Sequence, residues 1–457
     1  MQIALFRPPR ARSRREAAVA RLHARRAWRT AVIVASAVLG GLAGSAYAWL
    51  CDVMMSWHGR IFAFAGWPTL LLLPLGFGLV SWLTRRFVPE AAGSGIPQVV
   101  AAAEQRWTGR WGGQRVTLRT AAWKVVLSAL VLLCGGSIGR EGPTVQVVAA
   151  ITRTLTRGLR GGPGRRTMIL AGGAAGVAAA FNTPIAGVVF AVEELAKSFE
   201  RRTNTAIILV VVVAGFTAYA VQGDYAYFGV LGASPSLRSA WLAAPAIGLA
   251  GGLFGGLFSL VLGAVMGPGD HPLARLRRAR PVAFAVGCGL IAAAVAAISG
   301  GLTFGAGYAE AKSLLTDHPG RGLGFSIAKF TASLAAAISG VPGGIFAPSL
   351  ATGAGLGAAF ARLGLAVAGR DAVVLGMASY LSGVVQAPLT SAVILMEMTR
   401  DPGLVGPLML AALIGRWASS LIMKEPIYHL LAKNWFRPVE TSVAQAEQSL
   451  ASSGREH

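Results

Sequence analysis

The stretch Gly135-Gly-Ser-Ile-Gly-Arg-Glu-Gly-Pro-Thr144 sets an arginine and a glutamate among glycines in an otherwise apolar part of the chain. Ala121 to Cys134 before it and Val145 to Ile151 after it are largely apolar, which puts Arg140 and Glu141 at or near membrane depth. Ionisable groups there are costly and usually functional. Pro143, followed by Thr144, predicts a helix start, since proline suits the first helical position, where its missing N–H is not needed. The glycines leave backbone amides uncovered. Such a terminus carries partial positive charge and open N–H donors, so it suits an anion. Glu141 is then a carboxylate tethered beside an anion site.

The whole chain supports that reading. Its 457 residues are 54% hydrophobic and only 13% charged, with a mean hydropathy of +0.58. This composition excludes an ordinary soluble protein and predicts a polytopic helical membrane protein. The net charge of +23 suggests nucleic acid at first sight, but nine arginines between Arg7 and Arg29 lie directly before the first long apolar run. That is the positive-inside signal for a cytoplasmic N-terminus, and no basic-aromatic module accompanies it, so no nucleic-acid partner is expected. Within this block, Arg14 to Arg29 is a candidate for a short interfacial helix. Cys51, Cys134 and Cys288 lie far apart, with neither metal-ligand nor disulfide spacing, and read as packing residues.

Apolar segments recur from 30–50 through 402–423, several of them shorter than the roughly 20 residues that span hydrocarbon. Short pieces broken by glycine and proline are what transporters use where half-helices meet at the membrane midplane. The polar breaks at 105–115, 158–167, 197–203, 268–280 and 313–322 are expected to be loops, with the basic 158–167 and 268–280 on the cytoplasmic side.

An internal repeat is visible as well. Phe181-Asn-Thr-Pro-Ile-Ala-Gly-Val-Val-Phe-Ala-Val-Glu-Glu-Leu195 matches Val385-Gln-Ala-Pro-Leu-Thr-Ser-Ala-Val-Ile-Leu-Met-Glu-Met-Thr399, with Pro184 over Pro388 and Glu193 over Glu397. Upstream, Gly139 to Pro143 ends 41 residues before Pro184, and Gly344-Ile-Phe-Ala-Pro348 ends 40 before Pro388. Two prolines and a glutamate holding register across about 204 positions define two halves. Their relative orientation depends on the number of intervening spans, which the sequence leaves open.

Gly93-Ser-Gly-Ile-Pro97, Gly139 to Pro143, Gly344 to Pro348 and Tyr428 after Pro426 together resemble the CLC family of chloride channels and proton/chloride antiporters, over roughly residues 30–432. The resemblance implies an all-α polytopic membrane fold of two pseudo-repeats in inverted topology, with broken half-helices meeting at the midplane. The expected divisions are a basic cytoplasmic segment at 1–29, repeats at 30–222 and 223–432, and a short tail at 433–457. With about 29 residues after Tyr428, no nucleotide-sensing domains are expected. The family also implies a bacterial inner-membrane homodimer with a pathway in each subunit. For its surface, 204–222 and 388–423 are the apolar candidates.

By the same resemblance, Gly93, Ser94, Ile345, Phe346 and Tyr428 form the central anion site, with Tyr428 as the inner gate. A serine hydroxyl and nearby amides hold an anion without full positive charge, so it can also leave. Serine at position 94, with Glu141-Gly142-Pro143, implies chloride rather than nitrate or fluoride. Glu141 resembles the external gate and proton acceptor, flanked by the backbone of Arg140 and Gly142 at an outer anion site. Competition of carboxylate and anion for one position couples the two ions. Glu194 resembles the internal proton-transfer residue, and Glu193 a structural one: Glu193 has a counterpart in Glu397, whereas Glu194 aligns with Met398. Lys124 is a possible electrostatic attractor of anions, and Lys329 has no assigned role.

The leading expectation is a secondary active transporter exchanging chloride for protons, with no cofactor beyond the chloride it carries. A passive voltage- or pH-gated chloride channel of the same architecture is the alternative. No enzyme is expected, and no catalytic or metal site: His23, His58, His271, His318, His429 and His457 read as isolated, near loops or ends.

Overall fold

The computed structural model describes residues 9–104, 115–159, 161–196, 201–223, 227–229, 237–316, 322–363 and 368–435. Most of the expected loop at 105–115, residues 197–200 of the expected loop at 197–203, residues 1–8 of the basic segment and most of the short tail lie outside the described residues; residues 201–203 are helical rather than loop. The first half comprises α1 (Pro9–Ala65), α2 (Leu72–Phe87), α3 (Ile96–Glu104), α4 (Leu118–Leu133), α5 (Glu141–Thr156), α6 (Arg165–Phe181), α7 (Pro184–Phe190) and α8 (Arg201–Gln222). After it come α9 (Leu237–Met266), α10 (Pro272–Ala279), α11 (Pro281–Ile298), α12 (Tyr308–Thr316) and α13 (Gly322–Ser339). The chain finishes with α14 (Phe346–Arg362), α15 (Gly369–Val385), α16 (Pro388–Thr399), α17 (Val405–Ile422) and α18 (Ile427–Ala432). Among the described residues, seven helices are long and apolar enough to cross a membrane. The fold is that of an all-α, multi-pass membrane protein.

Three expectations need correction. The segment Arg14 to Arg29 is not a separate interfacial helix but the first part of α1, because this alanine- and arginine-rich run contains no helix breaker. The helix ends only at Gly66, in the left-handed region at φ 65°, followed by Pro68. The break at 268–280 is not simply a loop: Pro272 opens α10, and His271 Nδ1 accepts from the Leu273 amide (3.3 Å). Likewise α12 runs into the predicted loop at 313–322 as far as Thr316.

The two halves interlock through their matching acids. Glu193, in a π-helical turn over Ala191–Ala196 that continues α7, accepts from the amides of Leu389 (3.0 Å) and Thr390 (2.7 Å) and from the Thr390 hydroxyl (2.7 Å) at the start of α16. Glu397, near the end of α16, accepts from the amides of Ile185 (3.2 Å) and Ala186 (2.6 Å) at the start of α7. Each carboxylate thus caps the orphan amides of the other repeat's helix. For both contacts to form, α7 and α16 must run antiparallel, which gives the repeats the inverted relation. Matched residues end the preceding helices too, Asn182 closing α6 and Gln386 closing α15, both left-handed at φ 58°.

These caps yield a test. Glu193→Ala and Glu397→Ala should each lower stability by about 1–2 kcal/mol, as loss of a helix cap does, and by similar amounts because their roles are equivalent. Unfolding of the detergent-solubilised variants measures it. An unchanged midpoint in both would remove the caps from the account.

Candidate anion site and its gate

Three of the glycine-rich breaks are laced together by their backbones. Gly139 and Gly344 exchange hydrogen bonds in both directions (2.8 and 2.7 Å), and Gly93 joins the amide of Gly343 and the carbonyl of Gly340 (3.1 and 3.2 Å). This antiparallel bridge aligns the starts of α5 and α14. Ile345 caps α14, and Phe346 is its first residue.

α5 starts at Glu141, so Pro143 is its third residue and not its first as expected. The first four amides of a helix lack partners within it, and proline is tolerated anywhere among them. Thr144 closes the first helical bond onto the Arg140 carbonyl (3.0 Å), leaving the amides of Glu141 and Gly142 ahead of the helical pattern.

Ser94 comes to this point from the loop before α3. A Cβ on Gly142 would overlap Ser94 Oγ and come within 3.3 Å of the Gly344 Cα, so only glycine lets the three breaks meet. The Tyr428 hydroxyl stands against Ser94. Its ring stacks on Phe346, with centroids 6.0 Å apart and planes 11° from parallel. Ser94 Oγ and Tyr428 Oη are both buried and make no hydrogen bond of ordinary geometry among the described residues. Donors of that kind are what a bound anion would satisfy.

Glu141 is fully buried with its carboxylate at this meeting point. Oε1 accepts from the Tyr308 hydroxyl (2.6 Å), Oε2 lies over Gly139, and the amides of Glu141 itself and of Ala347 in α14 face the carboxylate. Arg140 turns the other way. Its guanidinium donates to Asp52 (2.9 Å), to the Ala48 carbonyl (2.9 Å) and to the Tyr227 hydroxyl. The two neighbouring charges are therefore held by different partners.

Lys124 is wholly buried, and its ammonium donates to the carbonyls of Ala91 (2.8 Å) and Gly93 (2.6 Å), which fixes the loop that presents Ser94. Below the same loop, a cavity of about 370 Å³ opens onto Ser94 and is lined in part by Arg85 and Arg277. Two cations at such an entrance raise the local concentration of anions.

Glu194 is buried in the π-helical turn, a feature frequent at functional sites. His429, next to Tyr428 in the chain, has Nε2 3.7 Å from the Glu194 carboxylate and Nδ1 3.6 Å from that of Glu104. The reading of all six histidines as isolated is thus corrected for His429, which lies between two acids. His58 is also buried, against the Leu133 carbonyl (3.0 Å).

The structure brings Gly93, Ser94, Glu141, Gly142, Ile345, Phe346 and Tyr428 together, with Glu194 and Lys124 around them. Sequence reasoning missed Tyr308, Ala347, Arg85, Arg277, His429 and the partners of Arg140. Of these only Tyr308 had a signal, its place after the glycines of Gly305-Ala-Gly307.

Comparison with known proteins gives the family. The model of the voltage gated chloride channel family matches residues 75–420. The H(+)/Cl(-) exchange transporter ClcA of Citrobacter koseri is 30% identical, over 92% of this chain and 92% of its own length. Among solved structures, a slow cyanobacterial Cl-/H+ antiporter superimposes with a TM-score of 0.76 at 25% identity, covering 89% of this chain and 97% of that one. A CLC-type fluoride/proton antiporter gives 0.72 at 22% identity, covering 89% and 98%, a likeness of fold. A family match over most of the chain, joined to four chain breaks that converge on one site, means that this chain belongs to the CLC family, that of the voltage-gated chloride channels.

Proposed function

We propose that this protein is a secondary active transporter that exchanges chloride for protons, using no cofactor. The observation that carries the reading is the Glu141 carboxylate, buried where the starts of α5 and α14 meet the hydroxyls of Ser94 and Tyr428. An acid there competes with chloride for the same amides. Protonation cancels the charge that holds the side chain, so a protonated Glu141 yields the site to chloride and the two ions are coupled.

Glu194 is the second proton site, buried on the Tyr428 side of the gate. Its burial in a π turn, beside His429, supports exchange over a passive channel, which has no need of a second buried acid. The names of the relatives, exchangers of H+ and Cl-, support the same choice. Chloride is the preferred anion on the strength of Ser94.

The protein would lie in a bacterial inner membrane with its N-terminus in the cytoplasm, as the nine arginines from Arg7 to Arg29 argue. Arg85 and Arg277 then line the cytoplasmic entrance. Pairing into a homodimer is supported by a groove of about 490 Å³ between α7, α8 and α16, where Ile185 and Phe216 are exposed and the capping acid Glu397 lies alongside. The halves would divide at 30–222 and 223–432.

Purified protein in liposomes, under a chloride gradient at symmetric pH with the voltage clamped, should move protons uphill. Glu141→Gln should abolish that movement while chloride still flows, and Glu194→Gln should slow proton transport by roughly 100-fold, the scale of a lost proton-transfer group. Chloride flux without proton movement in the wild type would make this a channel. Ser94→Pro should raise nitrate relative to chloride flux, and an unchanged ratio would take Ser94 out of the site.

A further inference from the structure

The repeat pairs Lys124 with Lys329, 205 positions on, in the helices before the two half-helices that meet. Lys329 is as deeply buried as Lys124, and it makes the same kind of contact: its ammonium donates to the carbonyls of Thr303 (3.0 Å) and Gly305 (2.7 Å). The Lys124 loop delivers Ser94 into α3. The Lys329 loop delivers Tyr308 into α12, with Gly307 left-handed (φ 83°) and so close to α14 that a Cβ would lie 2.7 Å from that of Ala351. Each repeat therefore pins a loop with a buried lysine and presents one hydroxyl at the same site, Ser94 at Gly142 and Tyr308 at the Glu141 carboxylate.

The surroundings of Tyr308 hold its ring as well as its loop. It packs against Tyr227 at 5.0 Å and Phe228 at 6.1 Å between centroids. The guanidinium carbon of Arg140 lies 5.9 Å from the ring centre. Arg140, tied to Asp52 and Tyr227, braces the aromatic pair from behind.

We propose that Tyr308 is a positioning residue of the outer gate, whose hydroxyl latches the Glu141 carboxylate into the anion site. Chloride then has to displace a carboxylate that is held by a hydrogen bond from outside the two half-helices, and the latch sets how firmly the gate is shut. This rests on the reading of Glu141 as a competitor for the anion. A state that cannot bind chloride weakens the apparent affinity in proportion to its population, so loosening the latch tightens chloride binding.

The test is calorimetric titration of chloride into the purified full-length protein for wild type, Tyr308→Phe, Glu141→Gln and the double variant. Tyr308→Phe keeps the ring and its packing and should lower the chloride Kd roughly tenfold, the scale of one hydrogen bond to a charged group. With Glu141→Gln already present, where no carboxylate remains to be latched, the same change should alter Kd by less than about twofold. Chloride exchange in liposomes should follow, with KM falling in Tyr308→Phe while the ratio of protons to chloride is unchanged. An equal shift in both backgrounds would show a structural role and overturn the latch, as would a wild-type Kd in Tyr308→Phe. Absence of chloride binding in every variant would overturn the exchange reading and the latch with it.

Discussion

A helix that begins inside a membrane leaves amides without partners, and hydrocarbon offers no water to satisfy them. α5 and α14 both begin that way, and the Gly139–Gly344 bridge sets their starts side by side. Two partially positive ends in one place need negative charge. In this chain the charge is supplied by the protein itself, through Glu141. On the proposed reading, a tethered carboxylate that can be neutralised by a proton makes a permanent structural need into a reversible one, and the site passes to a diffusing anion.

The repeat makes this arrangement from few parts. Glu193 and Glu397 cap each other's helices, Lys124 and Lys329 each pin a loop, and the two half-helices meet at the interface they share. Where the halves differ, the difference has a use. Glu141 has no acid opposite it at Phe346, and Glu194 has none at Met398, so neither of these acids has a counterpart in the second half. The second half supplies the amides at the start of α14 and the hydroxyls of Tyr308 and Tyr428.

Much of this was legible in the sequence because the decisive residues lie in short local patterns. Gly-Arg-Glu-Gly-Pro and Gly-Ile-Phe-Ala-Pro each encode a helix start within five residues, and the register of Pro184, Glu193, Pro388 and Glu397 encodes the repeat. What escaped depends on contacts distant along the chain. Tyr308 meets Glu141 across 167 positions, and His429 reaches the carbonyl of Glu194 across 235. No local pattern records such a pairing. α3 escaped for another reason: a nine-residue helix with Pro97 in its first turn reads as a continuation of the glycine-rich break. The inverted relation of the repeats came from the family resemblance and not from the repeat itself, and the crossed caps give it a physical basis.

The central claim is that the Glu141 carboxylate occupies the position of the transported anion. Anomalous diffraction from crystals of Glu141→Gln grown in bromide tests it most directly. The account predicts a bromide peak among the amides at the start of α14, the Gly142 amide and the Ser94 and Tyr428 hydroxyls, at the place the carboxylate fills in the wild type. Bromide bound elsewhere, with this pocket empty, would contradict it.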